Sequence, residues 1–273
     1  MIDKLHHKIF KAGSRTYYYS SLFFPRGVKE EVFTLYAFVR KADNFVDAVP
    51  QDSEGFYRFK QEYEKTQLGG GKSADPVIEY FAELVRRKGF DPKWIEAFLY
   101  SMEMDLFKKR YRDLGELEEY IYGSAEVVGL MMARILGLEE AAFHYARFQG
   151  KAMQLINFVR DISEDLKLGR IYLPQDEMKQ VGLDSLDYEI VKNKAEAFSE
   201  LIKKQLLRFA EWQMEAGKGY RYISHRYLVP VKTAADMYRW TAQQIGKDPF
   251  IVYRKIVKPS RWRILMRLLL NWL

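Results

Sequence analysis

Apolar residues recur at helical spacing along nearly the whole chain, and this pattern limits the fold more than any other sequence feature. Val32, Leu35, Tyr36 and Val39 fall at positions i, i+3, i+4 and i+7, which places them on one face of a helix. No segment shows a convincing alternation of apolar and polar residues, as a half-buried strand would. The eight prolines fall mostly where helices are expected to begin or end. The sequence therefore predicts an all-α fold.

The length of 273 residues allows one large domain or two small ones. The only linker-like stretch is 69–73, which contains three consecutive glycines. Helical patterning resumes within about five residues of it, so we interpret it as a loop between helices rather than a domain boundary. Internal repeats and low-complexity tracts are not evident. We expect residues 1–273 to form a single all-α domain.

Cysteine is absent and the four histidines are scattered, which excludes disulfides, thiolate zinc sites and cysteine nucleophiles. Any metal in this chain must therefore be held by oxygen. Residues 1–11 alternate charged and apolar side chains and show no secretory signal. We expect a cytoplasmic protein.

Positive charge is concentrated at the C-terminal end of the chain. Residues 218–273 hold 12 Lys or Arg against 2 acids, whereas the first 217 residues hold 32 against 35. This distribution, ending in a helix-length stretch rich in leucine, tryptophan and arginine, fits an anionic bilayer surface better than nucleic acid. Peripheral contact with the inner face of a membrane is one interpretation. The alternative is a last helix that packs its leucines on the core.

The first group of candidate functional residues lies on a predicted helix that includes Leu35–Asp47. Asp43 and Asp47 are one helical turn apart and share a face, which Arg40 and Tyr36 continue toward the N-terminus. Like charges at this spacing cost an isolated helix about 0.2–0.5 kcal/mol, so solvent or a cation must offset them. From this pair alone, a solvated surface and a cation site both stay open.

A second stripe of polar side chains lies among apolar residues of the sequence. Four side chains at steps of three, four and four form it: Gln154, Asn157, Asp161 and Asp165. Their immediate neighbours are apolar, and buried acids require a cation. Glu164 adds a carboxylate, and a set of hard oxygen ligands suits Mg²⁺, which prefers carboxylates, water and substrate phosphates. The alternative is a buried ion pair with Arg160 or Arg170.

Together, the two groups indicate opposite walls of one cavity. A diphosphate bridged to both walls by Mg²⁺ would neutralise the aspartates, and nearby arginines would bind the remaining phosphate oxygens. The 19 tyrosines, 18 phenylalanines and 5 tryptophans could line a pocket for a long apolar ligand and stabilise a carbocation. Most aromatic residues in proteins only fill the core, so composition alone assigns none of them to the ligand.

The sequence resembles the squalene and phytoene synthase family, which joins two prenyl diphosphates head to head. The resemblance covers nearly the whole chain and includes Ser14–Tyr19, the Arg-x-x-Asp-x-x-x-Asp pattern ending at Asp47, and Tyr120–Gly129. Its most specific part is Gln-x-x-Asn-x-x-Arg-Asp-x-x-Glu-Asp at 154–165, followed by Gly-Arg-Ile-Tyr-Leu-Pro at 169–174. It implies a single isoprenoid synthase-like helical bundle around a deep central cavity.

The resemblance also implies roles for individual residues. Asp43 and Asp47 would form one Mg²⁺-binding pair and Asp161 and Asp165 the other, with Mn²⁺ as an alternative metal. The catalytic set would also include Arg40 and Tyr172. The residues that would bind substrate are Ser14, Tyr17, Tyr36, Arg40, Tyr120, Gln154, Asn157, Arg160 and Arg170.

The activity implied is that of a prenyltransferase of carotenoid biosynthesis, which condenses two geranylgeranyl diphosphates to phytoene through a cyclopropyl diphosphate, prephytoene diphosphate. Glu126 is similar to the residue of certain phytoene synthases at this position. Alternatives are a squalene or dehydrosqualene synthase that uses farnesyl diphosphate, with or without a nicotinamide reductant, and a non-catalytic helical protein docked on membranes. The sequence does not indicate an oligomeric state.

Overall fold

A computed structural model describes residues 4–68 and 72–273, and this part of the chain is almost entirely helical. It contains sixteen α-helices: α1 Lys4–Gly13, α2 Arg15–Ser21, α3 Arg26–Asp47, α4 Ser53–Leu68, α5 Pro76–Lys88, α6 Pro92–Phe107, α7 Leu114–Ile121, α8 Val127–Ile135, α9 Phe143–Arg160, α10 Ile162–Lys167, α11 Gln175–Gln180, α12 Tyr188–Val191, α13 Ala195–Lys218, α14 His225–Lys247, α15 Ile251–Arg254 and α16 Arg261–Trp272. No strand occurs in these two ranges. The all-α prediction is confirmed, while the glycines of the predicted loop lie outside the described residues.

Several helices begin where the sequence supplies a cap. The Asp75 side chain accepts a hydrogen bond from the Val77 amide, and Pro76 occupies the first turn of α5, where no amide donor is needed. Gly89 ends α5 with a φ of 61°, a left-handed conformation that favours glycine. Local chemistry therefore sets both ends of this helix.

Two features differ from the sequence-based expectation. Pro230 lies inside α14, in its second turn, instead of at a helix boundary. Proline removes one backbone donor there, the partner of the Arg226 carbonyl in the first turn, and α14 continues to Lys247. The polar stripe from Gln154 also does not lie on one helix, because α9 ends at Arg160 and α10 begins at Ile162. Asp161 between them has φ −100° and ψ 16°, outside regular helix geometry.

The helices pack around two apolar clusters. One is built from α1, α3, α4, α5, α6 and α8, and includes Phe33 and Phe98. The other is built mainly from α9, α13 and α14, and includes Leu155 and Phe209. Helices α8 and α9 approach closely at Gly129, where a Cβ atom would lie 2.2 Å from the Ala146 carbonyl oxygen. A cavity lies among α2, α3, α6, α8, α9 and α14.

The C-terminal helix α16 packs on α14 and α2. Its N-cap Ser260 accepts a hydrogen bond from the Arg263 amide, and Ile264 and Leu268 are buried. Among the described residues, no helix combines the length and apolar character required to span a bilayer. That residues 1–273 form one domain stays a prediction.

Candidate active site

The cavity has a volume of about 470 Å³ and is polar at one end and largely apolar elsewhere. All fourteen residues predicted from the sequence to form a site line it: Ser14, Tyr17, Tyr36, Arg40, Asp43, Asp47, Tyr120, Gln154, Asn157, Arg160, Asp161, Asp165, Arg170 and Tyr172. The prediction that distant segments meet across one apolar hollow agrees with this placement. The role of each residue in catalysis stays a prediction.

Helix α3 supplies the first acidic wall. Asp43 and Asp47 lie in its last two turns, and Arg40 donates a hydrogen bond to Asp43 one turn along the same helix. Burial raises the pKa of Asp43 to about 7, the neighbouring Asp47 adds to the rise, and Arg40 opposes it. This wall therefore carries a carboxyl group whose ionisation is unfavourable without additional positive charge.

The second acidic wall lies where α9 meets α10. Arg160 donates from Nε to Asp161 at 2.7 Å, and its Nη2 forms a second hydrogen bond to the same carboxylate. Asp165 forms no ion pair within residues 4–68 and 72–273, and burial together with Asp161 raises its pKa well above the usual range. Asn157 donates to Gln154 at 3.2 Å beside them. The strongest demand for a cation on this wall is therefore at Asp165.

Arg170 joins the two walls. Its backbone amide donates to the Asp165 carbonyl at 2.9 Å, while Nη1 donates to Asp47 at 2.6 Å and Nη2 to the Val46 carbonyl at 2.6 Å. The side chain is buried, so these bonds form away from bulk water. Because both attachments involve one residue, the α3 wall and the α9–α10 wall are held at a fixed separation.

Asp105 on α6 is a cavity residue that the sequence analysis missed. It accepts hydrogen bonds from Tyr120 at 2.6 Å and from Tyr172 at 2.7 Å. Burial raises the pKa of Asp105 to about 6, although Arg170 and the two tyrosine hydroxyls lower it. The available signal was an acid seven residues after Phe98, on a helix face that is otherwise apolar except for Ser101. Asp105 thus fixes the hydroxyl ends of two aromatic rings at the polar end of the cavity.

Further lining residues add positive charge and aromatic surface. Lys258, from the segment before α16, faces the same end of the cavity as Arg15, and partial burial and Arg160 lower the pKa of its ammonium group. Tyr238 on α14 lies 5.7 Å from Tyr17, measured between ring centroids. Neither Lys258 nor Tyr238 belongs to a sequence pattern that would distinguish it from ordinary surface or core residues.

Some predicted residues also have local structural roles. The Ser14 side chain caps α2 by accepting a hydrogen bond from the Tyr17 amide at 3.3 Å. Tyr36 stacks on Phe10 with 3.9 Å between ring centroids. Glu164, which was considered as a third carboxylate, is not among the described residues that line the cavity, and its Oε2 is buried without a hydrogen-bond partner. The ion-pair interpretation of the second stripe is partly realised, because Arg160 binds Asp161, whereas Arg170 binds Asp47 on the α3 wall.

The residues present fit Mg²⁺ in donor chemistry. In the described part of the chain, no three His, Asp or Glu side chains converge to form a complete metal cage. Mg²⁺ does not require one, since it is commonly bound by one or two carboxylates together with water and substrate phosphates. The raised pKa values of Asp43 and Asp165 indicate that both walls would gain from a bound cation.

Comparisons with known proteins agree with this geometry. A family model described as squalene/phytoene synthase matches residues 10–263. The 15-cis-phytoene synthase of Synechococcus elongatus is 27% identical, with 93% of this chain and 87% of that protein aligned. Phytoene synthase 2, chloroplastic, of Solanum lycopersicum is 29% identical over 87% of this chain and 79% of that protein. A crystal structure of a dehydrosqualene synthase in complex with ligand has the same fold, with a TM-score of 0.83 at 23% identity over 97% of this chain and 93% of that one.

Proposed function

The chain belongs to the squalene/phytoene synthase family of prenyltransferases, and we propose that it condenses two geranylgeranyl diphosphates head to head to phytoene. The observation that carries this proposal is the pairing of Asp43 and Asp47 on one wall with Asp161 and Asp165 on the other, at the polar end of an apolar cavity. Substrates with an anionic head and a long hydrocarbon tail match a cavity divided in this way.

The two aspartate pairs would hold Mg²⁺, or Mn²⁺ in its place. When bound, the metal supplies positive charge that stabilises the departing diphosphate. Arg40 forms an ion pair with Asp43, and Arg160 forms one with Asp161. A metal cation bound to these carboxylates would free both guanidinium groups to bind phosphate oxygens. Arg170 is different, because its buried contacts with Asp47 and Val46 keep it in place while it orients the α3 wall.

The reaction proposed proceeds in two ionisations. In the first, the allylic C–O bond of one substrate breaks and the double bond of the second attacks the cation, with loss of a proton, to give a cyclopropyl diphosphate. In the second, this intermediate loses its diphosphate, rearranges and loses another proton. The sum is two substrates converted to one C40 hydrocarbon, two diphosphates and two protons. A released diphosphate is a candidate base for the last proton.

Aromatic side chains beside the acidic walls would protect the cations. Tyr172 stacks on Phe158 with 4.3 Å between ring centroids, and Tyr120 lies 5.3 Å from Tyr172. Their π-faces favour positive charge, and their burial excludes water that would capture a cation as an alcohol. Asp105 holds both phenol groups by their oxygens, so the rings are fixed before substrate binds.

The experiment is to incubate the purified protein with Mg²⁺ and geranylgeranyl diphosphate, without a reductant, and to identify the hydrocarbon by mass spectrometry. A parallel reaction contains farnesyl diphosphate, with and without NADPH. The proposal expects phytoene in the first reaction. A C30 product from farnesyl diphosphate, with no C40 product, would instead assign the squalene or dehydrosqualene synthase activity. If neither geranylgeranyl diphosphate nor farnesyl diphosphate binds in the presence of Mg²⁺, the result would favour a non-catalytic protein.

A further inference from the structure

The C-terminal helix α16 has apolar stripes on two opposite sides. The inner stripe, Ile264 and Leu268, is buried in a cluster with Val229 and Met237 of α14. The outer stripe follows steps of four, three and four residues, which is the period of one helix face. Its members on the helix, with their exposed fractions, are Trp262 at 76%, Met266 at 51% and Leu269 at 57%, and Leu273, which follows the last helical residue, continues the spacing at 100%.

Packing within the protein does not account for the outer stripe. The inner side of α16 is completed by polar contacts, since Arg267 donates to Asp236 at 2.6 Å and Asn271 donates to Thr233 at 3.0 Å. Seven of the nineteen exposed large apolar side chains within residues 4–68 and 72–273 lie between 256 and 273. Such a concentration of exposed apolar residues is uncommon on monomeric proteins and marks an interaction surface.

The charges around the outer stripe identify the type of partner. Residues 249–273 contain no acid, and Arg261 and Arg263 have no carboxylate partner in the described part of the chain. Their guanidinium groups instead lie over the rings of Tyr19 and Trp240, at 5.4 Å and 4.8 Å from the ring centroids. An apolar stripe that begins with tryptophan and is flanked by unpaired arginines has the composition of an interfacial helix on an anionic membrane.

We propose that the outer stripe of α16, Trp262, Met266, Leu269 and Leu273, inserts into the surface of an anionic bilayer. A second copy of this chain fits the same face less well, because the pairing would oppose two basic segments. An anionic lipid surface instead complements the flanking arginines. This proposal goes beyond the proposed function and does not depend on it.

Docking through α16 would also place the cavity near the bilayer. Lys258 lines the polar end of the cavity and lies three residues before the start of α16. Helix α16 packs on α2, whose residues Arg15 and Tyr17 line the same cavity. The helix proposed to meet the lipid therefore packs directly on an element that lines the cavity. A water-insoluble hydrocarbon made in the cavity would have a short path to the membrane.

The test is co-sedimentation of the full chain with vesicles of phosphatidylcholine alone or of an equimolar mixture with phosphatidylglycerol. The test variant is Met266→Glu/Leu269→Glu. The matched control is Leu207→Glu/Met214→Glu on α13, where the original side chains are 57% and 67% exposed. Both variants change the net charge equally. We expect the test variant to lose at least about tenfold in affinity for the anionic vesicles, and the control to stay within about twofold of the unmodified protein.

A second measurement keeps the proposal testable if the charged variant folds poorly. Brominated anionic lipids should quench the fluorescence of the unmodified protein on binding, and Trp262→Phe should remove part of this quenching. Equal binding of the test variant and the control would overturn the proposal. The proposal would also be overturned if light scattering showed that the unmodified protein is a dimer and the test variant is a monomer. The outer stripe would then bind a second copy of the chain. With detergent-dispersed substrate and no vesicles, the test variant and the control should have the same turnover rate. Loss of vesicle binding can therefore be told apart from loss of catalysis.

Discussion

The α3 wall and the α9–α10 wall of the cavity each carry two aspartates four residues apart in the sequence, but their charges are balanced differently. On the α3 wall both carboxylates have an arginine, Arg40 for Asp43 and Arg170 for Asp47. On the α9–α10 wall only Asp161 has one, the adjacent Arg160. Asp165 forms no ion pair among the described residues, and burial raises its pKa well above the usual range.

This difference distinguishes an arginine that stays in place, Arg170, from two arginines that can exchange partners, Arg40 and Arg160. Arg170 is buried and makes hydrogen bonds to two backbone carbonyls as well as to Asp47, so substrate would not displace it easily. Among the described residues, the ionic partner of Arg40 is Asp43 and that of Arg160 is Asp161, each on the same wall as its arginine. We infer that Arg170 maintains the architecture of the site, while the other two arginines and the four aspartates take up the ligand charge.

The largest expected effect is on turnover, and it tests whether both walls bind metal. Asp43→Asn and Asp161→Asn should each reduce turnover on the order of a hundred- to a thousandfold, because each would remove a proposed ligand of the metal that stabilises the departing diphosphate. The measurement is the initial rate of hydrocarbon formation at saturating Mg²⁺. Exposed Asp184→Asn is the matched control and should keep its rate. A large loss in only one of the two variants would restrict the metal to one wall.

The two acidic walls could largely be predicted from the sequence. The i, i+4 spacing of Asp43 and Asp47, and the apolar neighbours of Asp161 and Asp165, predicted two acidic walls around one cavity, and the structure places all four in its lining. Helical periodicity predicted the all-α fold correctly. These features depend on local spacing, which the sequence states directly.

Contacts that depend on tertiary structure could not be predicted. Arg170 was considered as a partner for the second acidic stripe, but its guanidinium binds Asp47, 123 residues away. Asp105 was missed because a single acid on the buried side of α6 has no local pattern to indicate that Tyr120 and Tyr172 converge on it. The interruption of the helix at Asp161 likewise has no proline or glycine to mark it.

The next largest effect concerns the proposed difference between the arginines. Arg170→Lys should reduce the free energy of unfolding by about 2 kcal/mol, because a single ammonium group cannot replace the several directed hydrogen bonds of the buried guanidinium. Arg160→Lys should cost less than about 1 kcal/mol, since Asp161 retains partial solvent contact. Urea denaturation of both metal-free variants measures the difference. Equal losses would remove the distinction between the arginine that stays in place and those that can exchange partners.

A smaller effect is expected in the pH dependence of stability. The pKa of Asp43 is raised to about 7 in the folded protein, so the unfolded chain holds fewer protons between about pH 4 and 7. The resulting stabilisation is present at low pH and is lost as the pH rises through about 7. In chelator-treated protein, Asp43→Asn should remove part of this slope and raise stability at pH 8 by about 1–2 kcal/mol.

A second variant, Asp165→Asn, extends this pH test to the α9–α10 wall. It should also flatten the slope, because the pKa of Asp165 is raised in the same direction. Urea denaturation at pH 5 and pH 8 provides the measurement. Stability that increases with pH in the unmodified metal-free protein would contradict the account of both walls.

The smallest effect concerns Asp105, at the polar end of the cavity. Tyr120→Phe removes one of the two hydroxyl donors to Asp105 and should cost about 1 kcal/mol of unfolding free energy, measured by urea denaturation at pH 8. Since this hydrogen bond lowers the pKa of Asp105, its loss should raise that pKa above about 6 and reduce the cost of the substitution at pH 5. Exposed Tyr100→Phe on α6, the helix that carries Asp105, is the control and should change neither value. A pH-independent cost for Tyr120→Phe would show that Asp105 stays ionised through both conditions, and that the acidic walls alone govern proton uptake at the site.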